Sequence, residues 1–372
     1  MNSPDINAKL RSSLISSCGT CCQHLDACAA DMFLAAVRSG HVECIRALLT
    51  ANPEFDVNAR LALWFGYGHA IHLACDNNHF AVVKLLVESG ARCDVLDEDS
   101  TTPLFLAAKV GNLEMVQFLF ERPGVVDQLN LACSTGQTPF WVACAFRRHD
   151  VAFWLAHQGA VVDTVLNDGS NLIHLAARSG DGDLIRYLVE RGVDPSARRS
   201  DGQDALFIAT RMGHLDMVKF FHEELHLAFA PESEIVCPPM VAAVQSWNVE
   251  MVKLLLSYGV PARSNANLYP SSALTTAAAS GMIEIIRLLV KRGAHVHDGG
   301  PAGLTPIAEA VANRRDGAVR LLLAEGADAN IVRTGSVGSA VCPALNAWQI
   351  ASNFECFASL LVRCLDHRKV IP

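Results

Sequence analysis

Apolar residues gather in short runs at helical spacing, and each run leads into a glycine. Val83-Lys84-Leu85-Leu86-Val87 precedes Gly90, Ile185-Arg186-Tyr187-Leu188-Val189 precedes Gly192, and Ile286-Arg287-Leu288-Leu289-Val290 precedes Gly293. Gly-Ala or Gly-Val pairs recur at Gly90, Gly159, Gly192, Gly259, Gly293 and Gly326, with steps of 69, 33, 67, 34 and 33. Two steps are near-doubles, so the unit is 33 to 34 residues long. A helix that closes on a left-handed glycine produces this pattern.

A second helical signal lies upstream in each unit. Thr102-Pro103, Thr138-Pro139 and Thr305-Pro306 put a hydroxyl at the N-cap and a proline at the first helical position. The hydroxyl accepts from an orphan N–H group, and proline has none to orphan. Small pairs follow at Ala107-Ala108, Ala143-Cys144, Ala176-Ala177 and Ala277-Ala278, which lets neighbouring helices approach closely. Gly111, Gly180, Gly213 and Gly281 end this first helix. Glu114-Met115-Val116, Asp216-Met217-Val218, Glu250-Met251-Val252 and Glu284-Ile285-Ile286 open the second, with the acid suited to the helix dipole.

In these features the chain resembles the ankyrin-repeat family from about residue 30 to 365. The resemblance implies an all-α solenoid of about ten helix-turn-helix repeats. The register places first helices from Met32, Ala70, Pro103, Pro139, Leu172, Ala205, Pro239, Ala273, Pro306 and Ala344. Residues 1–29 read as a Cys-containing cap segment and 30–372 as the array, its last repeat a C-terminal cap. The repeats diverge from the family pattern. No intact Thr-Pro-Leu-His survives, and Arg147, Trp247 and Arg314 stand where a glycine ends the first helix. Steps of 38, 36 and 38 residues mark insertions near Ala59 to Gly68, Pro123 to Cys133 and Arg333 to Pro343.

Composition narrows the function. Of 372 residues, 51% are hydrophobic but only 7% aromatic, so the core is built of Ala, Leu, Val and Ile. A net charge of −8 argues against a nucleic-acid partner, which asks for a basic footprint. The 13 cysteines are odd in number and scattered, unlike a secreted disulfide framework. Met1 to Leu10 lacks the apolar core of a signal peptide, and no apolar run is long enough to span a membrane. These point to a soluble protein of a reducing compartment, cytoplasm or nucleus, and a monomeric scaffold is expected.

Three motifs suggest chemistry. His222-Glu223-Glu224-Leu225-His226 matches the zinc-protease pattern, in which two histidines share a helix face. The register puts Leu225 at the helix-ending glycine position and His226 in the turn, which argues against a zinc hydrolase. Cys18, Cys21, Cys22, His24 and Cys28 contain a single Cys-x-x-Cys, read as a helical cap, with zinc binding or S-acylation of Cys21 and Cys22 as alternatives. Ser359-Leu360-Leu361-Val362-Arg363-Cys364 resembles the start of a SOCS box, the elongin-binding element of ubiquitin-ligase adaptors. Arg368 stands where that box wants an aliphatic residue, and the chain stops at Pro372, so the second helix of the last repeat is the simpler reading. Asn330 resembles a hairpin asparagine that is hydroxylated in some ankyrin proteins. No nucleotide loop and no catalytic triad is evident, so the chain is expected to be a protein-binding scaffold or adaptor without enzyme activity, cofactor or metal.

The resemblance implies a concave binding surface made by the turn tips and the ends of the first helices. In this sequence those places are held by Arg38, Asp76, Asn77, Lys109, Phe146, Arg178, Arg211 and Met212 on helices, and by Asp99, Asp168 and Asp201 at tips. Lys109, Phe146, Arg178, Arg211 and Met212 fall on consecutive repeats, and interface cores favour aromatic, Arg and Met side chains. Acidic tips beside a basic row select a mixed-charge segment. Repeats 3 to 6 are expected to hold the main contact.

Overall fold

A computed structural model describes residues 29–63, 66–229, 237–263, 272–299 and 304–329. These form nine pairs of short helices, grouped into two compact units. One unit runs to Ala176 and takes in Arg186–Val193; the other comprises Ala177–Ile185 and continues from Asp194.

The first unit contains α1 (Ala29–Ser39) and α2 (Val42–Ala51), α3 (Ala70–Asp76) and α4 (Phe80–Glu88), α5 (Pro103–Val110) and α6 (Leu113–Phe120), and α7 (Pro139–Ala145) and α8 (His149–His157). Helices α9 (Leu172–Ser179) and α10 (Gly182–Glu190) are divided between the units. The second unit adds α11 (Ala205–Met212) and α12 (Leu215–Lys219), α13 (Pro239–Gln245) and α14 (Val249–Ser257), α15 (Ala273–Ser280) and α16 (Ile283–Lys291), and α17 (Pro306–Ala312) and α18 (Asp316–Ala324). Within each unit, first helices stack on first helices and second helices on second.

From α3 to α17 every first helix starts at the residue the register names. Local chemistry is the reason. Thr102, Thr138 and Thr305 accept from the backbone N–H three residues on, at 3.0, 3.2 and 3.3 Å, each ahead of its proline. Asp204 and Ser272 do the same at 2.8 and 3.1 Å without one. Helix α1 differs, being already helical at Ala29, ahead of Met32. The stretch Ala29-Ala30-Asp31 suits a helix and carries no Thr-Pro stop. The tenth helix start, Ala344, and the third insertion lie outside the described residues.

Helices of 5 to 11 residues are not stable alone, so stacking must hold them. The small pairs sit at these contacts: Ala107, Ala108, Ala143, Ala277 and Ala278 are fully buried. The insertions are not all tips. The first forms a two-stranded antiparallel hairpin, β1 (Leu61–Leu63) and β2 (Gly66–Gly68), a small departure from an all-α chain. The second folds inward as a single turn of 3-10 helix, Val126–Gln128, and buried Gln128 donates to the Asp94 carbonyl at 2.8 Å.

A recurring device links several repeats to the next. The residue closing the first helix is left-handed: Gly40, Gly111, Gly180, Gly213 and Gly281, but also Asn78, Arg147, Trp247 and Arg314 with φ of 56–61°. Four of those five glycines are crossed by a long side chain from the following repeat, which also donates to a first-helix carbonyl. His79 reaches Arg38 O at 2.8 Å, Arg148 reaches Lys109 O at 3.3 Å, His214 reaches Arg178 O at 3.2 Å and Arg315 reaches Ala279 O at 3.1 Å. A β-carbon on Gly40 would lie 2.7 Å from the His79 ring, so glycine serves both the turn and the crossing. At Asn78 a side chain already fills the place, and Asn112 bonds to it at 2.7 Å.

Gly111→Ala should therefore cost roughly 1–3 kcal/mol, from left-handed strain and from overlap with Arg148. In an Arg148→Ala background the cost should shrink by about 1 kcal/mol, because the overlap is gone. Urea unfolding of the four-member cycle measures this. Equal costs in both backgrounds would show that the crossing side chain contributes nothing.

Candidate protein-interaction groove

The hairpin arm ahead of α5 folds on its own polar groups. Asp97 N–H donates to Thr101 O at 3.2 Å, and the Asp97 carboxylate accepts the Thr101 N–H at 2.7 Å and the Thr101 hydroxyl. Ser134 N–H from the next arm donates to Asp99 O at 2.8 Å. Beneath the arm, buried His72 on α3 anchors it: Nδ1 accepts from His69 N–H and Nε2 donates to Thr101 O, both at 3.2 Å.

Between this arm and the ends of α3, α5 and α7 lies an open cavity of about 340 Å³, lined among others by Asp76, Asp97, Asp99, Phe105, Lys109 and Phe146. Phe105, Leu106 and Val142 give it a buried apolar floor, and Phe146 stands at its edge, 49% exposed. Lys109 Nζ is 2.9 Å from Asp76 Oδ1, tying neighbouring repeats together. Three carboxylates against one ammonium leave the cavity two negative charges. The Asp99 carboxylate has no partner among the described residues.

Four of the sequence-selected residues, Asp76, Asp99, Lys109 and Phe146, thus meet in one groove. Others are placed differently. Arg38 is exposed at the end of α1, and its carbonyl receives His79. Asn77 turns its amide back to Leu73 O at 2.8 Å. The Asp168 carboxylate accepts the Ser170 N–H and hydroxyl, both at 2.9 Å, which makes it a turn former. In the second unit Asp201 accepts from Gln203 N–H at 3.1 Å and lies 3.8 Å from Arg199. Arg211 stands 6.0 Å over the Phe207 ring, while Arg178 and Met212 are exposed. Sequence reasoning did not single out Leu106, Val142 and Gln137 as groove residues, because nothing local marks which buried or turn residues face an opening. Asn330, the N-terminal cysteine cluster and Ser359 to Cys364 lie outside the described residues.

The second unit holds a cavity of about 370 Å³ walled by His222, Phe229, Met240, Tyr258 and neighbouring prolines. Its polar groups bond to the protein: His222 Nδ1 to Leu227 O at 2.8 Å, and the Tyr258 hydroxyl to Glu223 Oε1 at 2.5 Å. The metalloprotease-like stretch sits here and is not an intact α-helix. Phe220–Glu224 forms a π-helical turn, Leu225 caps it, and His226 is left-handed with φ 55°. The two imidazoles therefore do not share a helix face.

Models for ankyrin repeats match residues 10–97, 71–165 and 238–333 ("Ankyrin repeats (3 copies)") and 173–222 ("Ankyrin repeats (many copies)"). The chain belongs to the ankyrin-repeat family. Such repeats are protein-interaction modules, which agrees with a groove shaped by helix ends and hairpin tips. The ankyrin chain is 24% identical over 303 residues to human "Transient receptor potential cation channel subfamily A member 1", covering 78% of this chain and 27% of that protein. It is 32% identical over 171 residues to human "Ankyrin repeat and SOCS box protein 16", covering 44% and 36%. With "E3 ubiquitin-protein ligase KEG" of Arabidopsis thaliana it shares 24% over 277 residues, covering 70% and 17%. The chain thus spans well under half the length of these curated relatives. Among the described residues no helix is long and apolar enough to cross a membrane.

Burial lowers the His72 pKa from its ordinary 6.5, outweighing the opposing pull of Asp97, and also lowers that of His69. The stability His72 contributes is complete above about pH 6.5 and is lost as pH falls toward the depressed value, because only the unfolded chain protonates readily there. Between about pH 7 and pH 5, wild type should lose more stability than His72→Gln, by ~1.4 kcal/mol per unit of pKa depression at most. Urea midpoints at the two pH values check this; parallel loss in both proteins would count against the anchor.

Proposed function

We propose that this chain is a protein-interaction scaffold or adaptor, without catalysis of its own, that grips a segment of a partner protein in the groove between its hairpin arm and first helices. The observation that carries this reading is the convergence of exposed Phe146 with Asp99, Lys109 and a buried apolar floor in one open cavity. An aromatic ring at the edge of an apolar, charge-rimmed groove has the make-up of an interface centre. Arg178, Arg211 and Met212 are candidate contact residues of the second unit, taken by itself. The odd number and scatter of the 13 cysteines support a reducing compartment, cytoplasm or nucleus.

Affinity capture with wild type and with Phe146→Ala and Arg178→Ala, singly and together, tests it. If Phe146 is an anchor, its loss should weaken a captured partner by ~2 kcal/mol or more, about thirtyfold. Unchanged binding by a folded Phe146→Ala chain would reject the placement.

A second reading is a substrate adaptor of a ubiquitin ligase. It draws on Ser359-Leu360 and Cys364, which resemble the start of a SOCS box, and on the relative whose name carries that box. Under it, elongins and a cullin should co-purify with the chain, and Leu360→Pro with Cys364→Phe should abolish this. Capture of partners without them would leave the scaffold reading alone.

A further inference from the structure

We infer that the groove selects a partner segment bearing a lysine or arginine next to an aliphatic or aromatic residue, the cation meeting Asp97 and Asp99 and the apolar side chain covering Phe146. This rests on the reading above that the groove is the contact, and adds the chemistry of its occupant.

The charge on the arms beside the groove is of one sign. Residues 91–101, 123–137 and 160–170 form the arms of three successive repeats in the first unit. Their one base, Arg92, is tied to Asp94 by two bonds of 2.9 and 2.8 Å. Apart from that pair they hold Asp97, Glu98, Asp99, Asp127, Asp163 and Asp168 and no Lys, Arg or His. The arm at 194–203 in the second unit differs: Asp194 and Asp201 stand beside Arg198 and Arg199.

Lys109 does not cancel this field at the arm. Its ammonium is held 2.9 Å from Asp76 at the helix-end side of the cavity, leaving Asp99 unpartnered. Asp97 is fixed by Thr101, so its charge is pre-positioned rather than mobile. A cationic side chain entering here gains charge-assisted hydrogen bonds, and the surrounding acids steer it in. A phosphate-bearing ligand meets the opposite, unfavourable field. The floor of Phe105, Leu106 and Val142 and the exposed ring of Phe146 offer apolar surface in the same cavity as those carboxylates. Charge and floor together specify an extended polypeptide rather than a free metal ion or amine.

Selection of a random short-peptide display library on the immobilised full-length chain tests this. Peptides enriched on wild type should carry Lys or Arg beside an apolar residue. Individually synthesised winners should bind Asp99→Lys at least about tenfold more weakly, lose affinity to Phe146→Ala, and weaken with added salt. Asp99 is exposed and its carboxylate unengaged, so Asp99→Lys should keep the wild-type helical circular dichroism. Enriched peptides without basic residues that still need Phe146 would overturn the cation inference and leave the groove reading standing. Basic peptides that bind all three chains equally would overturn the groove reading and this inference with it, as would no enrichment over a blank support.

Discussion

The left-handed residue at the end of each first helix is the constraint on which the rest of the structure depends. It turns the chain sharply enough for the second helix to run back along the first. Where that residue is glycine, the missing side chain leaves a seat that the next repeat fills. His79, Arg148, His214 and Arg315 occupy four such seats and bond to carbonyls the short helix leaves unsatisfied. Each bond, partly exposed, contributes on the order of 0.5–1.5 kcal/mol. Their value is that they recur, and that each fixes one repeat against its neighbour.

Occupied and empty seats follow an order. His79, Arg148 and Arg315 come directly after Asn78, Arg147 and Arg314, which are themselves left-handed without being glycine. In these three cases a repeat that gives a long side chain to the glycine before it strains its own turn, at a cost of order 1–3 kcal/mol, whereas His214 follows Gly213 and its turn is unstrained. Strain in one repeat is offset by the contact it makes with the previous one, so stability belongs to pairs of repeats. The first unit adds a second linkage on its other row: Phe80 meets Phe118, Phe120 meets Trp154 and Phe153 meets Tyr187, with ring centroids 5.6, 5.2 and 4.9 Å apart. With both rows tied, the arms and first-helix ends are free to vary in chemistry without loss of the fold.

That division explains what the sequence made legible. Helix starts could be read to the residue because caps are local: Thr102-Pro103 makes its bond within three residues. Left-handed closure at Arg147, Trp247 and Arg314 was implied by register, and Asn78 escaped notice only because asparagine is an unremarkable turn residue. The β1–β2 hairpin and the π-helical turn at Phe220 carry no comparable local mark. The groove was half legible. Asp76, Asp99, Lys109 and Phe146 follow from position in the repeat, but whether a carboxylate is available depends on its neighbours. Asp99 and Asp168 look alike as tip acids, yet Ser170 engages the Asp168 carboxylate while that of Asp99 meets no described residue. Leu106 and Val142 line the cavity from two different helices, a juxtaposition only stacking creates.

The same logic decides between a motif and a register when the two disagree. His222 to His226 carries the residue types and spacing of a metalloprotease helix, a pattern whose meaning depends on continuous α-geometry. The repeat requires the chain to leave that helix just there. It does so by a wide turn, Leu225 N–H to Phe220 O at 3.1 Å, and the left-handed His226 is turned away. The imidazole of His222 then packs on Tyr258, ring centroids 4.1 Å apart, where it joins one repeat to the next. A five-residue match fixes side-chain identity only, whereas a 33-residue period recurring along the chain fixes backbone conformation. Chemistry needs both, so in a repeat protein the longer period has the stronger claim on what a short motif can do.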